Sequence, residues 1–469
     1  MSDLLALPRL IIAAPQGRSG KTTISVGVCA ALAARGLVIQ PFKKGPDYID
    51  PSWLSAAAGR ACRTLDPFFH ASAEAVQRAF VIGAQAADLS LIEGNHALFD
   101  DSLDDEGRDS TAALSRLLHT PIVLVINTAR LGRSAAALVR GFQTFEADTH
   151  IAGVIANQVG NPRHERKLRE AIERYCGLPL LGAIPRDEAL VIPDRHLGLV
   201  PRGETDHLTS AMAACRRAAE EHIDLDRLLS IARRAAPVNW NDAQSAINPQ
   251  QSAITIGVLR DRAFSFYYPE NLEALENAGA QLRFIDALTD AQLPDIHALY
   301  IGGGFPEVFM AELSANQALR HRLHEAIERG LPVYAECGGL MYLSRRIVWN
   351  GQSAEMVGAL PCDVEMSDRP QGHGYVIAEV VDDNPFLPKG VTLRGHEFHH
   401  SRLINVDPAL RTAYALTRGA GLGDKRDGLI YRNVLAGYTH LHAAGAPGWA
   451  EALVRRAHTY AKEAAHAAL

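Results

Sequence analysis

Short runs of Ile, Val and Leu recur through the first half of the chain, at LPRLIIAAP (7–15), GLVIQPF (36–42), LSLIEGN (89–95), PIVLVINT (121–128), HIAGVIANQV (150–159) and LPLLGAIP (178–185). The stretches between them space their apolar residues as helices do. Near-continuous apolar runs read as strands buried on both faces, and their alternation with helices predicts a parallel sheet covered on both sides. One α/β domain is therefore expected over residues 1–235. The pattern then breaks. PVNWNDAQSAINPQQSA (237–253) is rich in Asn, Gln, Ser and Pro and reads as a linker, bounded as 236–253. A second α/β pattern, over 254–469, opens with AITIGVLR, QLRFIDAL, ALYIGGGFP and LPVYAECGG. Beyond Met356 the texture becomes strand-like up to VLAGYTHLHA (434–443), so this domain joins a parallel core to later strands.

Composition narrows the class of protein. With 469 residues, 47% hydrophobic and 21% charged, the chain can bury two cores. A formal charge of −6 leaves no basic field for nucleic acid. The six cysteines, Cys29, Cys62, Cys176, Cys215, Cys337 and Cys362, show no CxxC spacing, so neither a disulfide framework nor a zinc site is expected, and a reducing cytoplasm fits. The opening MSDLLALPRLIIAAPQG lacks a cationic leader pattern, and no apolar run reaches the ~18 residues that span a bilayer. A soluble cytoplasmic protein with no membrane partner is the expectation.

The first chemistry follows the first strand, in APQGRSGKTTIS (14–25). A glycine-bearing turn between strand and helix aims backbone N–H groups at a phosphate, and the helix N-terminus adds its dipole. Gly17, Ser19, Gly20, Lys21, Thr22 and Thr23 are the expected ATP-binding residues, with Lys21 reaching the β and γ oxygens and Thr22 ligating Mg²⁺. Pro15 departs from the strict P-loop pattern, which places glycine there. PFKKGPDYIDP (41–51) and IEGNHALFDD (92–101) each follow a strand of the same sheet, and ligands gather at the carboxyl ends of such strands. Asp47 and Glu93 are candidate Mg²⁺ ligands alongside Thr22. Lys43 and Lys44 can hold carboxylate or phosphate, and Tyr48, Asp50 and Asp100 can order an acceptor. The bland alternative for GPDYID is a turn with Asp caps.

The second chemistry lies in VYAECGGLMYL (333–343), where Cys337 stands between a strand and a glycine pair. A nucleophile on a sharp strand-to-helix turn exposes its sulfur and directs N–H groups at an oxyanion, while the helix N-terminus favours thiolate. Gly303 and Gly304 of YIGGGFPE, with Gly338, are the candidate oxyanion hole. His440 in GYTHLH (437–442) is the candidate base. A free cysteine is more often a buried small hydrophobe, and that reading stands for the other five. HEFHHS (396–401) reads as polar lining for an acidic substrate, through His396, His399 and His400, rather than as a metal site. His442 shares a strand face with His440.

These segments, together with RLGRSAAALVRGF, IPRDEALVIPDRHLGLVP, AFSFYYPENLEAL and GHEFHHSRL, resemble the cobyrinate and hydrogenobyrinate a,c-diamide synthases across nearly the whole chain. The resemblance implies a dethiobiotin synthetase-like P-loop domain with a doubly wound parallel sheet, followed by a class I glutamine amidotransferase-like α/β domain. It implies that Cys337 and His440 release ammonia from glutamine, and that ATP with Mg²⁺ converts the a and c acetates of a tetrapyrrole acid to acyl phosphates that ammonia displaces. By position it assigns acceptor and intermediate handling to Asp47, Tyr48, Asp50, Glu93 and Asp100. The expected partners are the tetrapyrrole acid, glutamine and ATP, with a homodimer as the assembly. Two departures stand out. Class I amidotransferases commonly carry a glutamate two residues after the histidine, where this chain has His442, so His440 must be oriented otherwise. Cobyrinate enzymes usually read EGVMGLFDG where this chain reads EGNHALFDD followed by SLDDEGRDSTAAL, which is similar to the branch that amidates sirohaem or sirohydrochlorin.

Two rival readings follow. A regulatory or partitioning P-loop ATPase commonly carries a second lysine where Gln16 stands, and has no use for Cys337 and His440. An amidotransferase acting on a different acid is the nearer rival, against which GPDYID weighs.

Overall fold

A computed structural model describes residues 3–100, 109–191, 194–195, 198–199, 207–240 and 254–467. The chain divides into two compact units, Met1–Ser245 and Ala246–Leu469. Among the described residues no helix is long and apolar enough to cross a membrane.

In the first unit the six apolar runs are strands: β1 (Arg9–Ala13), β2 (Ile39–Lys43), β4 (Leu89–Glu93), β5 (Ile122–Asn127), β6 (Ile151–Val159) and β7 (Leu180–Pro185), with a two-residue β3 (Arg63–Thr64) that no run announces. Among the described residues these seven make one sheet in the order β3-β2-β4-β1-β5-β6-β7, and the neighbouring strands pair in parallel. All five residues of β1, β2 and β4 are buried, as a sheet covered on both faces requires. Each fully buried Ile or Leu contributes about 1.5–3 kcal/mol. The chain leaves β1 toward β2 and crosses from β4 over β1 to β5, so the strand order reverses around β1, whose carboxyl end carries the glycine-bearing loop.

The expected linker starts too early. Val238–Trp240 pairs antiparallel with Asp3–Leu5, and Val238 and Trp240 are buried in the core of the first unit. Their apolar alternation within polar surroundings is the signal that the composition of the segment obscured. Residues 241–253 lie outside the described residues.

The second unit adds β8 (Thr255–Leu259), β9 (Gln281–Ile285), β10 (Ala298–Ile301), β11 (Val333–Glu336), β12 (Gly372–Val380), β13 (Thr392–His399), β14 (Arg411–Arg418), β15 (Arg426–Tyr431), β16 (Val434–Gly437) and β17 (His440–Leu441). Among the described residues these ten form a sheet in the order β9-β8-β10-β11-β16-β15-β14-β12-β13-β17. Its β9-to-β16 part is parallel, and the later strands are antiparallel. Strand β17 follows β16 after two residues yet pairs with β13 at the far edge, so the chain turns sharply at Tyr438 and Thr439. Asp427 fixes that bend: its carboxylate accepts the N–H groups of Tyr438 at 3.0 Å and Thr439 at 2.8 Å and the Thr439 hydroxyl at 2.6 Å. The bend aims His440 back toward the end of β11.

Candidate active site

The loop after β1 ends at Gly20, the N-cap of helix α1 (Lys21–Ala34), whose φ of +95° suits glycine. Glycine is needed there for space as well, because a Cβ would stand 2.1 Å from Asn157 Nδ2. Asn157, at the end of β6, donates from Nδ2 to the Ser19 carbonyl at 2.9 Å and so braces the loop from a neighbouring strand. Ser19 Oγ donates to the Gln16 carbonyl at 2.9 Å, closing the turn. Lys21 Nζ donates to the His96 carbonyl at 2.7 Å, and Thr22 Oγ1 donates to Glu93 Oε1 at 3.0 Å. Arg18, Gly20, Lys21, Thr22, Thr23, Asn157, Gln158 and Asp187 line a cavity of about 360 Å³ beside the loop. Burial and then Lys43 push the Lys21 ammonium below its ordinary value; an anion against it would reverse that.

Beside α1, the carboxyl ends of β2 and β4 bring together four charged groups. Lys43 Nζ lies 2.5 Å from Asp50 Oδ2, 2.7 Å from Glu93 Oε1 and 3.9 Å from Asp47 Oδ2. Burial opposes the Lys43 charge, but Asp50, Glu93 and Asp47 outweigh it and hold the ammonium protonated. Burial also works to raise Asp50, and Lys43 holds it down; Asp47 is pushed up by burial and by Asp50. Three carboxyl groups thus crowd one ammonium, and of the three it is Asp50 that Lys43 holds down. Glu93 is fully buried, raised first by burial, and its Oε2 meets no hydrogen-bond partner among the described residues. An orphaned carboxylate oxygen next to the Thr22 hydroxyl is the donor set a hard cation or its water completes. Tyr48 caps helix α2 (Ile49–Ala58), half-buried, beside this cluster. Asp100 is exposed, and its charge opposes the lowering that burial first imposes on Lys21 and His96. Residues 101–108, which carry part of the divergent loop, lie outside the described residues.

In the second unit Cys337 follows β11 directly and caps helix α3 (Gly338–Leu343) with φ +48° and ψ −101°, a backbone that a non-glycine residue adopts only under constraint. The constraint is visible: its N–H donates to the Gly437 carbonyl of β16 at 2.7 Å. The glycine run lies between the thiol turn and the imidazole. A Cβ at Gly338 would stand 3.1 Å from Gly304 N, and one at Gly303 would stand 2.5 Å from His440 Cε1 and 3.4 Å from its Nε2. Cys337, Gly338, Gly303, Gly304 and His440 therefore crowd one point. The expected thiolate is corrected by the structure, because burial first and Glu307 second push the Cys337 thiol well up. A short helix does not offset both, so the sulfur needs a base to take its proton.

The carboxylate that faces His440 is one to which the sequence reading gave no role. Glu336 Oε2, on the residue before the thiol, lies 3.5 Å from His440 Nδ1. The HEFHHS reading is also corrected. His396, His399 and His400 are buried within this unit; His396 pairs in register with His440 and its ring stacks at 4.9 Å, while His399 stacks on Tyr438 at 3.7 Å. Period-2 alternation puts His396 and His399 on opposite faces of β13, and both faces are covered. Among the described residues no three His, Cys, Asp or Glu side chains converge as a metal cage. The other five cysteines are buried free thiols.

Residues 10–200 match the family model of a CobQ/CobB/MinD/ParA nucleotide binding domain, and residues 255–447 match that of a CobB/CobQ-like glutamine amidotransferase domain. The chain is 46% identical to a cobyrinate a,c-diamide synthase of Magnetococcus marinus over 96% of this chain and 97% of that one. It is 39% identical to one of Archaeoglobus fulgidus, covering 96% and 98% respectively, and 40% identical to one of Methanothermobacter thermautotrophicus, covering 96% and 99%.

Proposed function

The chain belongs to the cobyrinate a,c-diamide synthase family, and we propose that its two units divide one reaction, the ATP- and glutamine-dependent amidation of the a and c acetates of cobyrinate. The observation that carries this reading is the pairing, in one chain, of a braced phosphate loop with a constrained thiol beside a buried imidazole.

In the second unit His440 Nε2 takes the Cys337 proton as sulfur attacks the glutamine carboxamide. Backbone N–H groups among Gly303, Gly304 and Gly338 receive the oxyanion. His440 then returns the proton to the departing nitrogen, leaving a thioester that water hydrolyses to glutamate. In the first unit Gly17, Ser19, Gly20, Thr23 and Lys21 hold the ATP phosphates. An acetate oxygen attacks the γ-phosphorus, ADP leaves, and the resulting acyl phosphate gives amide and phosphate when ammonia attacks its carbonyl. A carboxylate resists ammonia until its oxygen has become such a leaving group. Thr22, Glu93 and Asp47 would hold Mg²⁺, which supplies charge neutralisation at the phosphates when bound. Asp47, Tyr48, Asp50 and Asp100 order the acceptor, and Lys43 holds Asp50 ionised between turnovers while opposing the upward push of burial on Glu93. The enzyme works in the cytoplasm as a homodimer without nucleic-acid or membrane partners; its free thiols and net charge of −6 support that setting.

The test is incubation with ATP, Mg²⁺, glutamine and, separately, cobyrinate, hydrogenobyrinate and sirohaem, with products read by mass spectrometry. A diamide of cobyrinate is expected. Amidation of sirohaem alone would move the acceptor to the branch that EGNHALFDD resembles.

A further inference from the structure

His440 lacks the acid that class I amidotransferases commonly place two residues after the histidine, because His442 stands there. We propose that Glu336 positions His440 from the neighbouring strand, holding its Nδ1–H so that Nε2 faces the thiol. This rests on the reading of Cys337 and His440 as the glutamine-hydrolysing pair.

The side chain of Glu336 is fully buried at the end of β11. Its Oε2 faces His440 Nδ1 at 3.5 Å and accepts the Tyr300 hydroxyl at 3.2 Å, while its Oε1 accepts the Leu441 N–H at 3.0 Å. One carboxylate therefore faces the imidazole and holds the backbone that carries it. Asn271 extends the brace, donating from Nδ2 to the Leu441 carbonyl at 2.7 Å and accepting the Ala443 N–H at 2.7 Å on Oδ1. The His396 ring covers one face of His440 at 4.9 Å with planes 19° apart, and the Tyr268 hydroxyl fixes His396 through Nδ1 at 3.0 Å. Burial, and then His440 itself, hold His396 well below its ordinary value, so the stacked ring stays neutral and does not repel an imidazolium strongly. With Nδ1 turned to Glu336, Nε2 is the atom left near the glycine run, 3.4 Å from where a Gly303 Cβ would be. A carboxylate on Nδ1 selects the tautomer in which Nε2 accepts the thiol proton, and it stabilises the imidazolium that forms. The position immediately before the nucleophile does for this chain what the later position does elsewhere, because β11 and the β16–β17 bend meet at their ends.

Glu336→Gln tests this. An amide can still accept the Leu441 N–H, but it then presents its NH₂ to Nδ1 and favours the wrong tautomer. Glutamine hydrolysis is expected to lose about 10²- to 10⁴-fold in kcat, with KM changed less than about 3-fold. The deficit should narrow as pH rises, because the thiolate fraction formed without a base grows with pH. Ammonia-dependent amidation in the other unit should persist. An unchanged kcat, or a loss that is the same at every pH and shared by ammonia-dependent amidation, overturns the assignment. Should Glu336→Gln not fold, Tyr300→Phe decides: it loosens the same carboxylate and is expected to lower glutaminase kcat about 3- to 10-fold, and no change there overturns the proposal. Cys337→Ala separates this from the underlying reading. If Cys337→Ala leaves glutamine hydrolysis intact, the thiol reading itself fails; if it abolishes hydrolysis while Glu336→Gln does not, only the role of Glu336 falls.

Discussion

Gly303→Ala puts a single methyl group between the thiol turn and the imidazole. The backbone at Gly303 is not in the left-handed region, so alanine meets no conformational penalty of its own. The added Cβ would stand 2.5 Å from His440 Cε1, whereas carbon atoms in contact keep about 3.5 Å. The ring must therefore retreat by roughly 1 Å, or the glycine run must move by as much. His440 is only 2% exposed, with His396 stacked on it and Glu336 at its Nδ1, so the ring has no free direction in which to go. A displacement of about 1 Å in a reacting group costs on the order of 10²-fold in rate, which corresponds to about 2.7 kcal/mol in the barrier. The assay is steady-state glutamine hydrolysis beside ammonia-dependent amidation, with thermal melting to show that the variant is folded. A fall of about 10²-fold in the first, with the second retained, is expected. Wild-type hydrolysis in a folded Gly303→Ala would refute the crowding of glycine run and imidazole on which the site rests.

Two further outcomes follow from the same geometry. Lys21→Ala should abolish amidation with either glutamine or ammonia as nitrogen source while glutamine hydrolysis remains measurable, and equal loss of both would contradict the division of labour. Because burial and Glu307 push the Cys337 thiol up, the thiolate fraction of the resting protein should be small at neutral pH and grow with pH. Alkylation of Cys337 by iodoacetamide should then rise continuously from pH 6 to 9, and a plateau near pH 7 would mean a preformed thiolate instead.

Much of the fold is legible in the chain because buried parallel strands print as apolar runs. All six runs of the first unit are strands of one sheet, and the four that open the second unit are its parallel core. The two-residue strand Arg63–Thr64 is too short to show a period, and Val238–Trp240 is hidden by the polar residues around it. A candidate site was legible where one local motif holds it, as at Lys21 and Cys337. It was not where partners meet through the sheet. Asn157 reaches Ser19 across 138 positions, and no local pattern links them, although the polar Asn-Gln at the end of an otherwise apolar strand was an available signal. Glu336 stands in plain view beside Cys337, but only the bend held by Asp427 brings it to His440. The histidines of HEFHHS looked like a polar lining because their strand alternation says which residues share a face, not whether that face is covered.

The central claim is that sulfur liberates nitrogen in one unit while a nucleotide activates an acid in the other. Cys337→Ser, given ATP, Mg²⁺ and cobyrinate, tests it by mass spectrometry of the products with glutamine in one reaction and concentrated ammonia in a second. Amide should form from ammonia and not from glutamine. No amide from ammonia in the folded variant, or undiminished amide from glutamine, would contradict it.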